Sequence, residues 1–236
     1  MEIGKILGKS WEEYKESWKE WALVYLIQIG ILIGGMLLMG PLIIAMVFII
    51  EISEYSGGSM VIIMILGFLC IVLGLIISLM SFSMSIGVIK CAMEKTRKRE
   101  VQYKDLFFIL KNKPLKFIGF YCVYNIFIIL WSLLLIVPGI IKMYSYSQAL
   151  YLMVENPDYG ILECITKSRE IMEGRKTSLF LISLIFIGIG LVLYFIPFAG
   201  ILSLFVFSPF ANLSYLNFYN EVTGYKHNDE VIIEEY

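Results

Sequence analysis

The chain has 236 residues, 59% of them hydrophobic and 17% charged, where soluble domains run to roughly 45–50% apolar and about 25% charged. That balance argues against a water-soluble domain. With 19 Lys and Arg, 20 Asp and Glu and one His, the formal net charge is −1, which offers neither a nucleic-acid footprint nor a histidine-rich metal site. The four cysteines, Cys70, Cys91, Cys122 and Cys164, form no CxxC pair and read as small apolar side chains.

The first twenty residues mix Lys5, Lys9, Lys15 and Lys19 with Glu2, Glu12, Glu13, Glu16 and Glu20, unlike the basic start and apolar core of a signal peptide. Ile3, Leu7, Trp11, Tyr14, Trp18, Trp21 and Tyr25 recur at steps of three and four, one face of a helix. This predicts an amphipathic helix over 1–20 lying in the inner membrane interface, with Trp11, Tyr14, Trp18 and Trp21 as its anchor. The alternative is a helix packed on the protein's own cytoplasmic loops.

Beyond it, apolar blocks cover 21–50, 60–89, 115–154, 176–196 and 200–220. A crossing needs about 20 helical residues, so the third block divides at Pro138-Gly139, giving spans near 21–50, 60–89, 115–137, 139–155, 176–196 and 200–220. Gly40-Pro41 predicts a kink in the first. The connections 90–114 and 156–175 are basic. Lys90–Lys116 holds nine Lys and Arg and Lys167–Lys176 holds four, whereas Glu51–Ser59, Pro138-Gly139 and Pro197–Gly200 hold none. Short cytoplasmic loops are enriched in Lys and Arg, so both termini, including the tail 221–236, are expected inside. The prediction is an all-α, polytopic transmembrane bundle, a single membrane domain over 1–236, with six spans arranged as three helical hairpins and amphipathic helices on the cytoplasmic side. Units starting near 1, 100 and 157 either repeat one ancestral hairpin or share the look of any helical hairpin.

Spans 4 and 6 carry polar stripes. Tyr144, Gln148, Tyr151 and Glu155 lie at offsets 4, 7 and 11, and Ser208, Asn212, Tyr215 and Tyr219 repeat those offsets; Ser78, Ser81 and Ser85 make a milder stripe in span 2. Polar groups facing lipid leave hydrogen bonds unmade, so the stripes are expected to turn inward, either as bonds between helices or as the lining of a ligand groove. Lys95, Arg97, Lys98 and Arg99, with Arg169, Arg175 and Lys176, orient the chain or contact anionic lipid or a partner. Lys142, just past Pro138-Gly139, is expected near the outer surface, its stem snorkelling. Gly30 and Gly34 make a GxxxG step that permits close helix approach, and His227 falls in the polar tail. No catalytic constellation, cofactor motif or metal-ligand pattern is present.

The run WSLLLIVPGIIKMYSY from Trp131 to Tyr146, then Asn156-Pro157-Asp158, KSREIMEGRK from Lys167 to Lys176, LFLISLIFIG from Leu179 to Gly188 and NFYNEVTG from Asn217 to Gly224 together resemble the domain of unknown function 975 family of bacterial integral membrane proteins. The resemblance implies a multi-pass protein of the bacterial cytoplasmic membrane with no established activity. In the KSREIMEGRK region, Asp158 is placed to begin a connecting helix and Gly174 to stop it. The functional expectation is a non-enzymatic membrane protein that binds lipid, a hydrophobic peptide or a protein partner within the membrane, serving membrane homeostasis or protection from membrane-active peptides. The alternative is a small transporter or channel for a neutral or amphipathic solute, lined by spans 2, 4 and 6.

Overall fold

The computed structural model describes residues 2–56, 60–97, 103–196 and 199–225. These are almost entirely helical, without β-strands. In chain order come α1 (Ile3–Ser56), α2 (Met60–Thr96), a 3-10 turn (Tyr103–Phe107), α3 (Phe108–Lys111), α4 (Pro114–Leu134), α5 (Ile136–Tyr146), α6 (Ala149–Glu155), α7 (Ile161–Ile171), α8 (Lys176–Tyr194), α9 (Ala199–Leu202), a π turn (Ser203–Phe207) and α10 (Ser208–Thr223). Four helices, α1, α2, α4 and α8, are long and apolar enough to cross a membrane. The stretches expected as spans 4 and 6 are segmented: α5 and α6 share one, and α9, the π turn and α10 share the other.

The bend in α1 is not at Gly40-Pro41. The helix runs through Pro41, whose ring is exposed, and the one non-helical position is Ser17 (φ −119, ψ 16). The Ser17 hydroxyl donates to the Glu13 carbonyl at 2.5 Å and accepts from Trp21 Nε1 at 3.1 Å. A serine bonding back to its i−4 carbonyl competes with the helical ladder and bends it, while an exposed proline costs one donor that nothing buried required.

The N-terminal part of α1 contributes to two cores. Ile6 packs with Met172, Leu179, Ile182, Phe186, Phe218 and Val222; Tyr14, ahead of the bend, and Trp21, Val24 and Tyr25, past it, join Met84, Cys91, Phe117, Met153, Leu213 and Tyr219. The buried line through α1 is Ile6, Ser10, Tyr14, Ser17 and Trp21, while Trp11 and Trp18 stay 40% and 52% exposed. Tyr14 and Trp21 are thus bundle residues, and two of the four expected anchor side chains remain on the surface.

Burial in α2 is confined to one end. From Ser83 to Thr96 most side chains are buried, and from Met60 to Phe82 none is. Its Met60–Phe82 half and the facing half of α1, joined where Ile77 meets Gly35, expose Leu37, Ile44, Phe48, Met64 and Phe68. Such an apolar surface is costly in water and natural against acyl chains.

Two close approaches fix the packing. The 3-10 turn lies directly on Gly87, where a Cβ would come within 2.2 Å of the Leu106 carbonyl oxygen, and α5 lies against α4 so closely that a Cβ on Gly139 would meet Ser132 Oγ at 2.4 Å. After α7, Gly174 takes φ +71, the left-handed conformation that glycine adopts freely. The turn it occupies leads into α8, as the sequence expects.

Candidate functional site

The break between α5 and α6 falls at Ser147 and Gln148, and α7 closes it. Ser168, fully buried on α7, accepts the Gln148 backbone N–H at 3.2 Å and donates its hydroxyl to the Ser145 carbonyl at 2.8 Å. One side chain thus satisfies two backbone groups that the interrupted helix leaves over. α7 itself begins with half of a capping box, the Gly160 N–H donating to Glu163 Oε2 at 3.1 Å. That bond and the one from Lys167 hold the Glu163 carboxyl below the usual carboxylate range, the Lys167 contribution being the larger.

The clamp sets Gln148 in the wall of a cavity of about 370 Å³ between α4, α5–α6, α8 and α10, lined by Tyr124, Tyr144, Ser147, Tyr151, Leu179, Ser183 and Tyr215 among others. Gln148 is 2% exposed. Its Nε2 donates to Ser147 Oγ at 2.9 Å, while its Oε1 has no partner. A buried amide oxygen without a donor is destabilising by about 1–3 kcal/mol. The Tyr215 hydroxyl reaches Ser183 Oγ at 3.5 Å, and Tyr144 packs edge-on against Phe180.

A second cavity of about 370 Å³ flanks α10, lined by Tyr25, Gln28, Ser85, Leu204, Ser208 and Asn212 among others. Here Asn212 Nδ2 donates to the Tyr25 hydroxyl at 2.9 Å, and Ser208 returns its hydroxyl to the Ser203 carbonyl at 2.9 Å across the π turn. The polar residues expected on one shared face therefore serve two chambers: Tyr144, Gln148, Tyr151 and Tyr215 line the first, and Ser85, Ser208 and Asn212 the second.

Below them, α2, α6 and α10 come together. Arg97, just past α2, pairs with Glu155, the last residue of α6, and the Tyr219 hydroxyl donates to the other oxygen of the same carboxylate. Tyr151 stacks on Tyr219 with ring centroids 5.3 Å apart, and the Arg97 guanidinium lies 4.5 Å from the centroid of the Tyr225 ring. Arg97 Nε is buried and unpartnered.

The mild stripe of α2 is not buried, although Ser85 borders the second cavity. Ser78 and Ser85 are exposed and Ser81 is half-buried. Ser85 donates to the Ser81 carbonyl at 3.0 Å, so a serine can meet its hydrogen-bond need within its own helix and face outward at little cost. The buried serine of α2 is Ser83, which the spacing did not single out.

The expected cationic contacts separate by partner. Lys95 pairs with Glu20 at 2.8 Å, Arg97 with Glu155, and Arg175 donates to the Val222 carbonyl near the end of α10. Arg169 and Lys176 line a third cavity, of about 270 Å³. Lys98 and Arg99, like His227 and the tail from 226, lie outside the described residues. Lys142 is in the third cavity too, with its ammonium 4.4 Å from the Trp131 ring centroid. It therefore sits beside the basic 156–175 connection, where the sequence pattern alone suggested a place near the outer surface.

Sequence reasoning had named Arg97, Glu155 and Tyr219 without joining them. The available clue was that Glu155 is the one acid on a stripe of neutral groups, and a half-buried carboxylate calls for a cation. The contacts of Asn217 with Ser10 at 3.0 Å and Glu13 at 2.7 Å were not anticipated, since they join residues about 200 positions apart.

The family described as "protein of unknown function (DUF975)" matches residues 57–226, and the chain belongs to it. No curated protein and no solved structure matches the chain.

Proposed function

We propose that this protein is a non-enzymatic component of the bacterial cytoplasmic membrane that holds an amphipathic, lipid-like molecule in the cavity between α4, α5–α6, α8 and α10. The observation that carries the proposal is a cavity walled by tyrosyl, seryl and aliphatic side chains, Tyr144, Ser147, Tyr151, Leu179, Ser183 and Tyr215 among them. Its volume, about 370 Å³, falls within the range of small-molecule sites, and its mixture of a few polar groups with apolar walls is the usual lining of such sites. A ligand with one hydroxyl or amide donor and an apolar body meets both needs.

Six crossings with both termini inside complete the reading. α4 and α8 both start beside basic residues, Lys113 and Lys116 for one and Arg175 and Lys176 for the other. For two outgoing helices to begin on the same side, the chain between them must return, and α5–α6 is the available path. The meeting of α2, α6 and α10 at Arg97, Glu155 and Tyr219 supports the same count, since returning segments end on one side.

The test is ligand retention and thermal stability in detergent. The wild-type protein is expected to keep a co-purified lipid through mild delipidation, seen by native mass spectrometry, and to melt several degrees higher when a single-chain hydroxylated amphiphile is restored. Ser183→Trp, which fills the cavity, should abolish both effects. A wild-type protein that carries no amphiphile and gains no stability from one would overturn the proposal.

A further inference from the structure

We propose that Lys142, Arg169 and Lys176 form a binding site for a phosphate group at the start of α8. The three cations line one cavity of about 270 Å³. No ion pair or hydrogen bond joins any of the three side chains to an acid among the described residues. Lys95, Arg97, Lys113 and Lys167, by contrast, are each matched to a carboxylate, Glu20, Glu155, Asp158 and Glu163 respectively. The three cations outnumber the acids of the same wall, and that local excess of positive charge favours entry of an anion.

Glu170 and Glu173 also border this cavity. Both are exposed, as is Arg169, and they lower the local charge without forming an ion pair to the three cations. The surroundings favour a phosphate over a halide. Ser145 and Thr166 add hydroxyls to the wall, and a tetrahedral oxyanion can accept from several donors at once while a guanidinium grips two of its oxygens. Trp131 holds the Lys142 ammonium in place by its ring face.

The helix start reinforces the site. α8 is a helix of 19 residues whose N-cap, Arg175, provides no side-chain cap hydrogen bond, so its first N–H groups and the positive end of its dipole lie beside Lys176. The helix end is the lesser part of the argument, since the three convergent side chains define the cavity. A phosphate can reach the site as the headgroup of an anionic phospholipid or as a free or soluble phosphate, and the chemistry of recognition is the same. The proposal does not depend on the ligand assigned above to the neighbouring cavity.

The test uses the full chain in two settings: nanodiscs of phosphatidylcholine with and without phosphatidylglycerol, and detergent micelles with inorganic phosphate or chloride at equal ionic strength. Lysine-reactive footprinting of the wild type reads the site without any variant. Lys142 and Lys176 should lose several-fold in reactivity when the phosphate source is present, while the exposed Lys5 and Lys15 do not change. Protection by phosphatidylglycerol alone assigns the site to a lipid headgroup, protection by inorganic phosphate alone assigns it to a soluble phosphate, and protection by both assigns it to the group itself. As a second reading, Arg169→Gln should weaken the protection of Lys142 several-fold with an unchanged melting temperature. Absence of protection from either source, or equal protection at Lys5 and Lys15, overturns the proposal, as does filling of Ser183→Trp if it removes the protection while Arg169→Gln leaves it intact.

Discussion

Arg97 and Glu155, 58 residues apart in sequence, form an ion pair where α2 and α6 end, and Tyr219 of α10 donates to the same carboxylate. The pair is mostly withdrawn from solvent, with the Arg97 and Glu155 side chains 11% and 24% exposed. Breaking it from one side leaves a partly buried charge without a partner, which costs more than the pair contributes. Glu155→Gln is therefore expected to destabilise the protein by about 2 kcal/mol, and Arg97→Met combined with Glu155→Met by less than the sum of the two single changes. Thermal unfolding in detergent of the singles and the double checks this; additive effects would show that the two side chains do not act as a unit.

Ser168 stands in for backbone partners at the break between α5 and α6. Ser168→Ala removes an acceptor for the Gln148 N–H and a donor for the Ser145 carbonyl, both in a buried setting. A loss of about 1–3 kcal/mol follows, with faster hydrogen exchange at the Gln148 amide than at α6 positions further on. Unchanged exchange there would show that the break is closed in another way.

Gly87 and Gly139 are required for contact, not for backbone freedom, since neither has a positive φ. A methyl group on Gly87 collides with the backbone of Leu106, and one on Gly139 with Ser132. Gly87→Ala is expected to cost about 1–3 kcal/mol by overpacking and to expose the 103–107 turn to proteolysis. Gly188→Ala, where the added methyl meets nothing within 4 Å, should be neutral or stabilising by up to about 1 kcal/mol. Melting temperatures of the two variants side by side test the distinction.

The first turn of α7 is sensitive to acid. The Glu163 carboxyl titrates below its ordinary range because Lys167 and the Gly160 N–H favour its charged form. A carboxylate depressed on folding contributes stability above its unfolded pKa, and that contribution is lost as pH falls through the folded value. The difference in melting temperature between wild type and Glu163→Gln should thus be present near neutrality and vanish in acid. A difference that persists at acid pH would contradict the assignment.

Much of the helical layout was legible in the sequence. The apolar runs gave α1, α2, α4 and α8, Gly174 gave the stop after α7, and the offsets in Tyr144, Gln148 and Tyr151 placed three residues on what became one cavity wall. Periodicity could not show that Ser147 and Gln148 interrupt the fourth run, because the turn there is held by Ser168 from another helix. It also could not distinguish which tyrosines and tryptophans of α1 face the bundle, since the bend at Ser17 depends on a local hydroxyl bond and not on the apolar pattern. The separation of the polar stripe into two chambers reflects how α10 is wedged between α1 and α8, a tertiary outcome that no spacing within α10 encodes. Lys142 is placed by the contacts of α5 with α7 and α8, which no spacing within its own run encodes.

The most direct measurement is an experimental density map of the protein in a lipid nanodisc, read between Tyr144, Gln148, Ser183 and Tyr215. An elongated non-protein feature with a polar end within hydrogen-bond distance of the hydroxyls of that wall, those of Tyr144, Ser183 or Tyr215, is the expected result. Side chains closed over that space, leaving no such feature, would contradict it.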